Sequence, residues 1–358
     1  MQLFPDFLDQ SKQLNQTPAQ LQHNLPLHAQ TRQYKAILLA LKIPNLPAPL
    51  HYLNFISMIG QPNAAVLRNG GAMRHAAQNT ATVMSSISPH MAGQLSRYSV
   101  HSDCIFKPGS FQFLDRENFS GAFPEFQLQR LDRELSFHLE IKTAHAPCYF
   151  SKLRMGLAEY WSQLCECTGE IGYKGQKYRI QQLGSLEFAR AVNFPFLPIA
   201  FYTAQTINLS RRRQLIVMQT RDRLNRVLQS RLYLKDFNAA QVQMLDEGVC
   251  LKVHRVYPAV TTPDQRKMYL PREFEWTAAS GAALIRIQAQ SRGDFKFGVG
   301  AGYAGSFSYQ VKIGDAEESG ESGYCEYIDC RPLNWQEKNK KQKLLDGLAD
   351  SVPVLLKK

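Results

Sequence analysis

The feature that most constrains this chain is a run of clean two-residue alternation at 134–142. Leu135, Phe137, Leu139 and Ile141 would face one way, and Ser136, His138, Glu140 and Lys142 the other. That period belongs to a strand with one buried face, because successive side chains of a strand point to opposite sides. Similar short passages recur: 50–59, 63–68, Tyr178–Ile180, Leu197–Tyr202, Leu215–Met218, Val227–Leu234 and Ala283–Ile287. Turn-forming clusters part them, among them Lys174-Gly175, Asp222-Arg223 and Arg292-Gly293-Asp294. Many short strands separated by turns predict a mainly β fold, a sandwich or barrel.

The two ends read differently. Leu14, Leu21, Leu25, Ala36, Leu39 and Leu41 fall at helical spacing in a Gln-rich segment. The prolines of Ile43-Pro44-Asn45-Leu46-Pro47-Ala48-Pro49 would then stop a helix. Residues 1–49 are therefore expected to be a helical segment and linker. Asn334–Leu348 is an amphipathic basic pattern, with Trp335, Leu344, Leu345 and Leu348 on its apolar side. Between these ends, β-domains are expected at 50–205 and 206–333, with a C-terminal basic helix over 334–358.

At 358 residues with 44% hydrophobic content, the chain can bury a sizeable core in two domains. No apolar stretch is long enough to span a membrane as a helix, and the N-terminus lacks the pattern of a secretory signal. Seven cysteines at irregular spacing fit reduced thiols and a cytoplasmic location. The net charge of +12 is concentrated in places. From Arg211 to Lys235 there are eight basic residues against the single acid Asp222, which reads as an exposed basic hairpin. Such a face could also attract nucleic acid or an anionic membrane.

Several motifs carry less chemistry than their letters suggest. Gly300-Ala301-Gly302-Tyr303-Ala304-Gly305 matches a dinucleotide fingerprint, yet an alternating strand pattern follows it rather than a helix. A hairpin is expected there, and no cofactor. Cys165-Glu166-Cys167 would place two thiols on one strand face, but no second pair lies at zinc-site spacing, so no metal is expected.

A weak internal repeat points to the acids of interest. Gly169 and Tyr173 lead to Gly184-Ser185-Leu186-Glu187, while Gly305 and Tyr309 lead to Gly323-Tyr324-Cys325-Glu326. Glu187, with apolar neighbours Leu186 and Phe188, is the candidate proton donor, with Arg190 or Tyr173 orienting it. An ion pair with Arg190 or Arg179 is the competing reading. His138 and Glu140 share a strand face and could point into a barrel lumen against a ligand, as could Glu326.

Two of these stretches carry a family resemblance. The ending Gly320-Glu-Ser-Gly323-Tyr324-Cys-Glu326-Tyr-Ile-Asp329 resembles the closing strand of AttH and carotenoid-hydratase-like (hydroxyneurosporene synthase-like) proteins. The passage from Gly169 through Glu187 resembles their middle. In outline the similarity covers residues 50–330. It implies two lipocalin-like (calycin) β-barrel domains and a place among hydratases and cyclases of isoprenoid-like substrates. Where those hydratases carry a tryptophan-rich segment with an aspartate, this chain has Leu186-Glu187-Phe188-Ala189-Arg190. The functional expectation is binding of a hydrophobic small molecule within or between the β-domains. Acid-catalysed hydration, cyclisation or isomerisation of such a ligand is the alternative, and a basic nucleic-acid or membrane module a second one.

Overall fold

The computed structural model describes residues 3–17, 25–91, 94–280 and 283–332. Its strands form two large antiparallel, barrel-like sheets. The first sheet contains Ala36–Ile43 (β1), Leu53–Ile59 (β2), Thr80–Ile87 (β3), Leu95–Ser99 (β4), Cys104–Lys107 (β5), Ser110–Phe113 (β6), Glu117–Ala122 (β7), Glu125–Arg130 (β8), Leu135–Lys152 (β9), Ala158–Tyr173 (β10) and Gln176–Ala191 (β11). The rest of the chain gives Phe201–Leu209 (β12), Arg213–Arg221 (β13), Val227–Asp236 (β14), Gln243–Leu245 (β15), Cys250–Val256 (β16), Val260–Thr261 (β17), Lys267–Met268 (β18), Pro271–Ser280 (β19), Ala283–Ser291 (β20), Lys296–Val299 (β21), Gly302–Ile313 (β22) and Ala316–Asp329 (β23). Only β17 and β18 stand apart, as a small two-stranded sheet.

The two large sheets share a plan. In each, the first strand pairs with the last: β1 with β11, and β12 with β23. Hairpin neighbours then extend the sheet from both sides of that seam, β2–β3–β4 matching β13–β14–β15. Each sheet wraps its own core. Phe55, Phe113, Trp161 and Phe188 fill the first, and Phe201, Phe274, Trp276 and Phe307 the second. Burying side chains of this size stabilises the fold by about 1.5–3 kcal/mol each.

In β9 the alternation behaves as its sequence dictates: Leu135, Phe137, Leu139 and Ile141 are buried, while His138, Glu140 and Lys142 are exposed. Strands β1, β2 and β3 are buried on both faces. Their inner faces fill the first barrel, and their outer faces press against the second. Ala40, Tyr52 and Ile56 there meet Ala304, Tyr324 and Ile328.

The helical N-terminal segment needs correction. The only α-helix among the described residues is the short Ser11–Gln16 (α1). Ala36, Leu39 and Leu41, expected to be helical, lie in β1. A fully buried strand is apolar on both faces, so its sequence loses the alternation that would identify it. The proline segment after β1 is a loop that touches both halves, with Asn45 N–H donating to Ser322 O at 2.6 Å. The expected helix at 334–358 lies outside the described residues. Among those residues, no helix is long and apolar enough to cross a membrane.

Candidate functional site

Two register positions build the site. Glu187 of β11 lies opposite Ala40 of β1 and Ser162 of β10. Glu326 of β23 lies opposite Ala204 of β12 and Ala304 of β22. The two glutamates are thus equivalent in the two sheets, and so are Gly184 and Gly323, three residues before each. The tyrosines of the repeat are not equivalent: Tyr173 pairs with Gln176 at a hairpin end, whereas Tyr309 pairs with Gly320 within β22 and β23. Side chains at 185 and 187 point out of the first barrel, because Leu186 and Phe188 point into it. The glutamates therefore meet where the barrels press together.

One cation serves both. Lys42 Nζ is 2.9 Å from Glu187 Oε2 and 2.8 Å from Glu326 Oε1. All three residues are buried, with 4%, 2% and 3% exposure. Thr206 holds the position in β12 that Lys42 holds in β1: Thr206 faces Tyr324 and Lys42 faces Ser185, each two residues before the glutamate. The pseudo-repeat thus duplicates the acid and leaves the base single.

Tyrosines surround the acids. Tyr160 O–H donates to Glu187 Oε2 at 2.6 Å, and Tyr324 O–H donates to Glu326 Oε1 at 3.1 Å. Tyr202 approaches Glu326 Oε2 at 3.4 Å. Asn54 Nδ2 donates to the Tyr324 hydroxyl at 3.1 Å, fixing that ring from behind.

Burial would lower the Lys42 pKa, but the charges of Glu187 and Glu326 outweigh it and hold the ammonium above its ordinary range. Burial raises the Glu326 pKa against the pull of Lys42, and the Glu187 charge adds to the rise. Tyr160 and Tyr202 are raised first by burial, then by the nearest glutamate, so both stay protonated at neutral pH.

The cluster forms the polar floor of a cleft between the barrels. Lys42, Tyr160, Tyr202 and Glu326 line a cavity of about 210 Å³ whose other walls are mainly apolar, including Leu38, Ile56, Met58 and Ile328. A second chamber of about 550 Å³ adjoins it and shares Phe4, Leu67, Ser151, Tyr160 and Tyr202. The N-terminal segment closes one side, with Phe4 against Phe194 at 6.4 Å between ring centroids and α1 packed on β9 and β15. The second chamber is more polar, ending on Asp9 and Arg231.

The other residues singled out from sequence lie as follows. Arg190 lines the cleft but pairs with Glu159 at 2.7 Å, not with Glu187. It is three residues from Glu187, so the alternation turns it to the other face. Tyr173 donates to Pro89 O at 3.0 Å, at the far end of β10, and does not orient Glu187. His138 and Glu140 face solvent rather than a lumen, since their strand neighbours fill the core. Gly300–Gly305 spans the hairpin turn between β21 and β22, and no helix follows. Cys165 and Cys167 share a face, with 3.7 Å between sulfurs inside the first core. Among the described residues, no group of three or more His, Cys, Asp or Glu could hold a metal. The basic stretch does form the β13–β14 hairpin, but two of its cations are not exposed. Arg231 and Lys235 are buried between the halves.

Sequence reasoning missed Lys42, Tyr160, Tyr202 and Lys235. For Lys42 a signal was present, as a single cation in the apolar run Ala36–Ile43. A charge so placed is excluded from a core unless it is paired.

The profile of a family of unknown function, DUF6670, matches residues 56–342. No curated protein matches the chain. Among solved structures, an AttH candidate from Nitrosomonas europaea aligns over 82% of this chain and 93% of its own, with a TM-score of 0.58 and 12% identity. Kievitone hydratase from Nectria haematococca aligns over 84% and 90%, with a TM-score of 0.50 and 9% identity. At these identities the likeness is one of fold: the two sheets form the double lipocalin-like architecture of AttH-like proteins.

Proposed function

The chain belongs to DUF6670, a family of unknown function, and we propose that it binds a hydrophobic small molecule, lipid-like or isoprenoid-like, in the cleft between its barrels. The observation that carries this reading is the contrast within the cleft. Mainly apolar walls end on a floor of Lys42, Tyr160, Tyr202 and Glu326. Ligand sites are commonly of this kind, apolar with a few convergent polar groups.

The same floor favours proton chemistry on the ligand as the second reading. Two carboxylates share one ammonium, and two like charges in a buried site resist ionising together. A carboxyl that keeps its proton near neutral pH can donate it to an alkene or a polarised ring. Glu326 reaches the cleft directly, and Glu187 reaches it through Tyr160. Hydration, cyclisation and isomerisation all begin with such a transfer. The proton given up returns when the cation loses a proton or takes up water and releases one.

Native mass spectrometry of the purified protein tests the binding reading. A retained apolar molecule, lost on blocking the cleft, is expected. Failure of apolar probes and extracted lipids to bind would refute it. The enzymatic reading then requires the bound molecule to change by one water or to isomerise on the protein.

A further inference from the structure

Lys235 lies behind the acid pair, outside the cleft, where β14 of the second barrel meets β10 and β11 of the first. It is 1% exposed. Its Nζ contacts are neutral oxygens: Ser162 Oγ at 2.7 Å, Ser185 Oγ at 3.2 Å and Gln214 Oε1 at 3.3 Å. No carboxylate lies within ion-pairing distance of it among the described residues. A lysine this buried normally has a carboxylate beside it, because an isolated ammonium loses its hydration without compensation.

The serines lead somewhere. Ser162 Oγ and Ser185 Oγ are 2.6 Å apart, and Ser185 O–H donates to Glu187 Oε1 at 3.4 Å. The opposite oxygen of Glu187 accepts from Tyr160, which faces the cleft. An unbroken hydrogen-bonded path therefore joins the Lys235 amine to the cleft wall. Four groups bear charge along it: Lys42, Lys235, Glu187 and Glu326. With all four ionised the sum is zero. Moving one proton from Lys235 onto a carboxylate also leaves zero, with the separated charges reduced to the contact pair of Lys42 and one glutamate. Buried charge is tolerated where it is paired in contact, which favours the second arrangement.

We propose that Lys235 shares one proton with the Glu187–Glu326 pair through Ser162 and Ser185, and that at neutral pH the proton rests on a carboxyl while the amine is neutral. Lys235 acts as a positioning residue, deciding whether the pair holds an acid. Use of that proton on a ligand rests on the function proposed above. The shifts agree in direction: burial lowers Lys235 and raises Glu326. The other groups facing Lys235 are the Cys148 and Cys165 thiols and Lys42, with the Cys148 thiol pushed up by burial to about 12 and therefore neutral.

The test reads protons and needs no ligand. Infrared difference spectra of the full chain, isotope-labelled at glutamate, report a buried protonated carboxyl, and carbon NMR of labelled lysine reports the Lys235 charge. Between about pH 6 and 8, the native protein should show one such carboxyl and a neutral Lys235. Lys235→Arg, which cannot give up its proton, should abolish the carboxyl band, and Lys235→Met should keep it. A native protein with a charged Lys235 and no protonated carboxyl would overturn the proposal, as would a band that survives in folded Lys235→Arg. If Lys235→Arg does not fold, the native lysine signal alone decides. Absence of turnover would count against the proposed function and leave the shared proton standing.

Discussion

Glu187 and Glu326 face the same kind of partner, Ala40 in β1 and Ala204 in β12, so one lysine bridges two symmetry-like acids. Small residues opposite each carboxylate leave room for the acids to turn toward one another across the seam. Three expectations follow from that arrangement and from the cleft above it, and a fourth from a separate buried lysine.

Lys42→Met should be among the most destabilising single changes in the molecule, since it leaves the two buried acids without their cation. Removing one partner of a buried ion pair costs about 3–5 kcal/mol. Native Lys42 has a raised pKa, so its contribution is complete below the unfolded value of 10.5 and is lost only above it. Glu326 has a raised pKa too, so its folded form keeps a proton above 4.5, and that advantage fades as pH rises. Urea unfolding should therefore show a smaller deficit for Lys42→Met near pH 5 than near pH 8. A deficit that does not change with pH would contradict the two-acid, one-base account.

Glu187→Gln and Glu326→Gln each leave Lys42 one carboxylate partner, so both variants should fold with stability within about 1–2 kcal/mol of native. Each should keep a bound apolar ligand and lose any conversion of it, because the shared proton disappears with either acid. Comparing ligand mass before and after incubation reads the conversion. Full turnover in folded Glu187→Gln would leave that residue a structural one.

Ala189 lines the cleft opposite Tyr160 of β10, and Ala189→Phe would fill part of the 210 Å³ there. Ligand retention should fall more than about tenfold, equivalent to about 1.4 kcal/mol, while the melting temperature changes little. Unchanged binding would move the ligand elsewhere, the larger chamber beside Arg231 being the next place to look.

Lys296 is a second buried lysine with no carboxylate in ion-pairing distance among the described residues, holding Ser88 O at 2.8 Å and Asp294 O at 2.6 Å. Burial lowers its pKa to about 8, with Asp294 opposing. Between that value and 10.5 the unfolded chain binds more protons than the folded one, so stability rises with pH through this window. Lys296→Met removes that rise. The stability of Lys296→Met relative to native should thus be greatest at neutral pH and decline by on the order of 3 kcal/mol by about pH 10.5. Parallel pH curves for the two proteins would show that Lys296 stays charged.

What could be read beforehand was governed by which faces of a strand meet water. Leu135 to Ile141 announce a strand because half of it is solvated. Ala36 to Ile43 hide one, because both faces are covered, and their leucines imitate a helix. The closing motifs Gly184 to Glu187 and Gly323 to Glu326 were visible as a repeat, but Ala40, Lys42, Tyr202 and Ala204, which complete the setting of those acids, come from strands far away in sequence. Lys235 was concealed differently. It sits in a run of basic residues most of whose members reach solvent, and composition cannot separate the two cations that turn inward, Lys235 and Arg231.

The pairing of each barrel's first strand with its last also has a kinetic side. Contacts between β1 and β11 join residues about 150 apart in the chain, and such long-range closures form slowly. The second barrel repeats the delay from β12 to β23. Since Glu326 lies on β23, its contact with Lys42 on β1 must wait for the far end of the fold. During synthesis Lys42 and Glu187 can meet as a simple pair once the first barrel closes, and the second acid arrives only when the last strand docks. The proton-holding centre is thus completed at the end of folding.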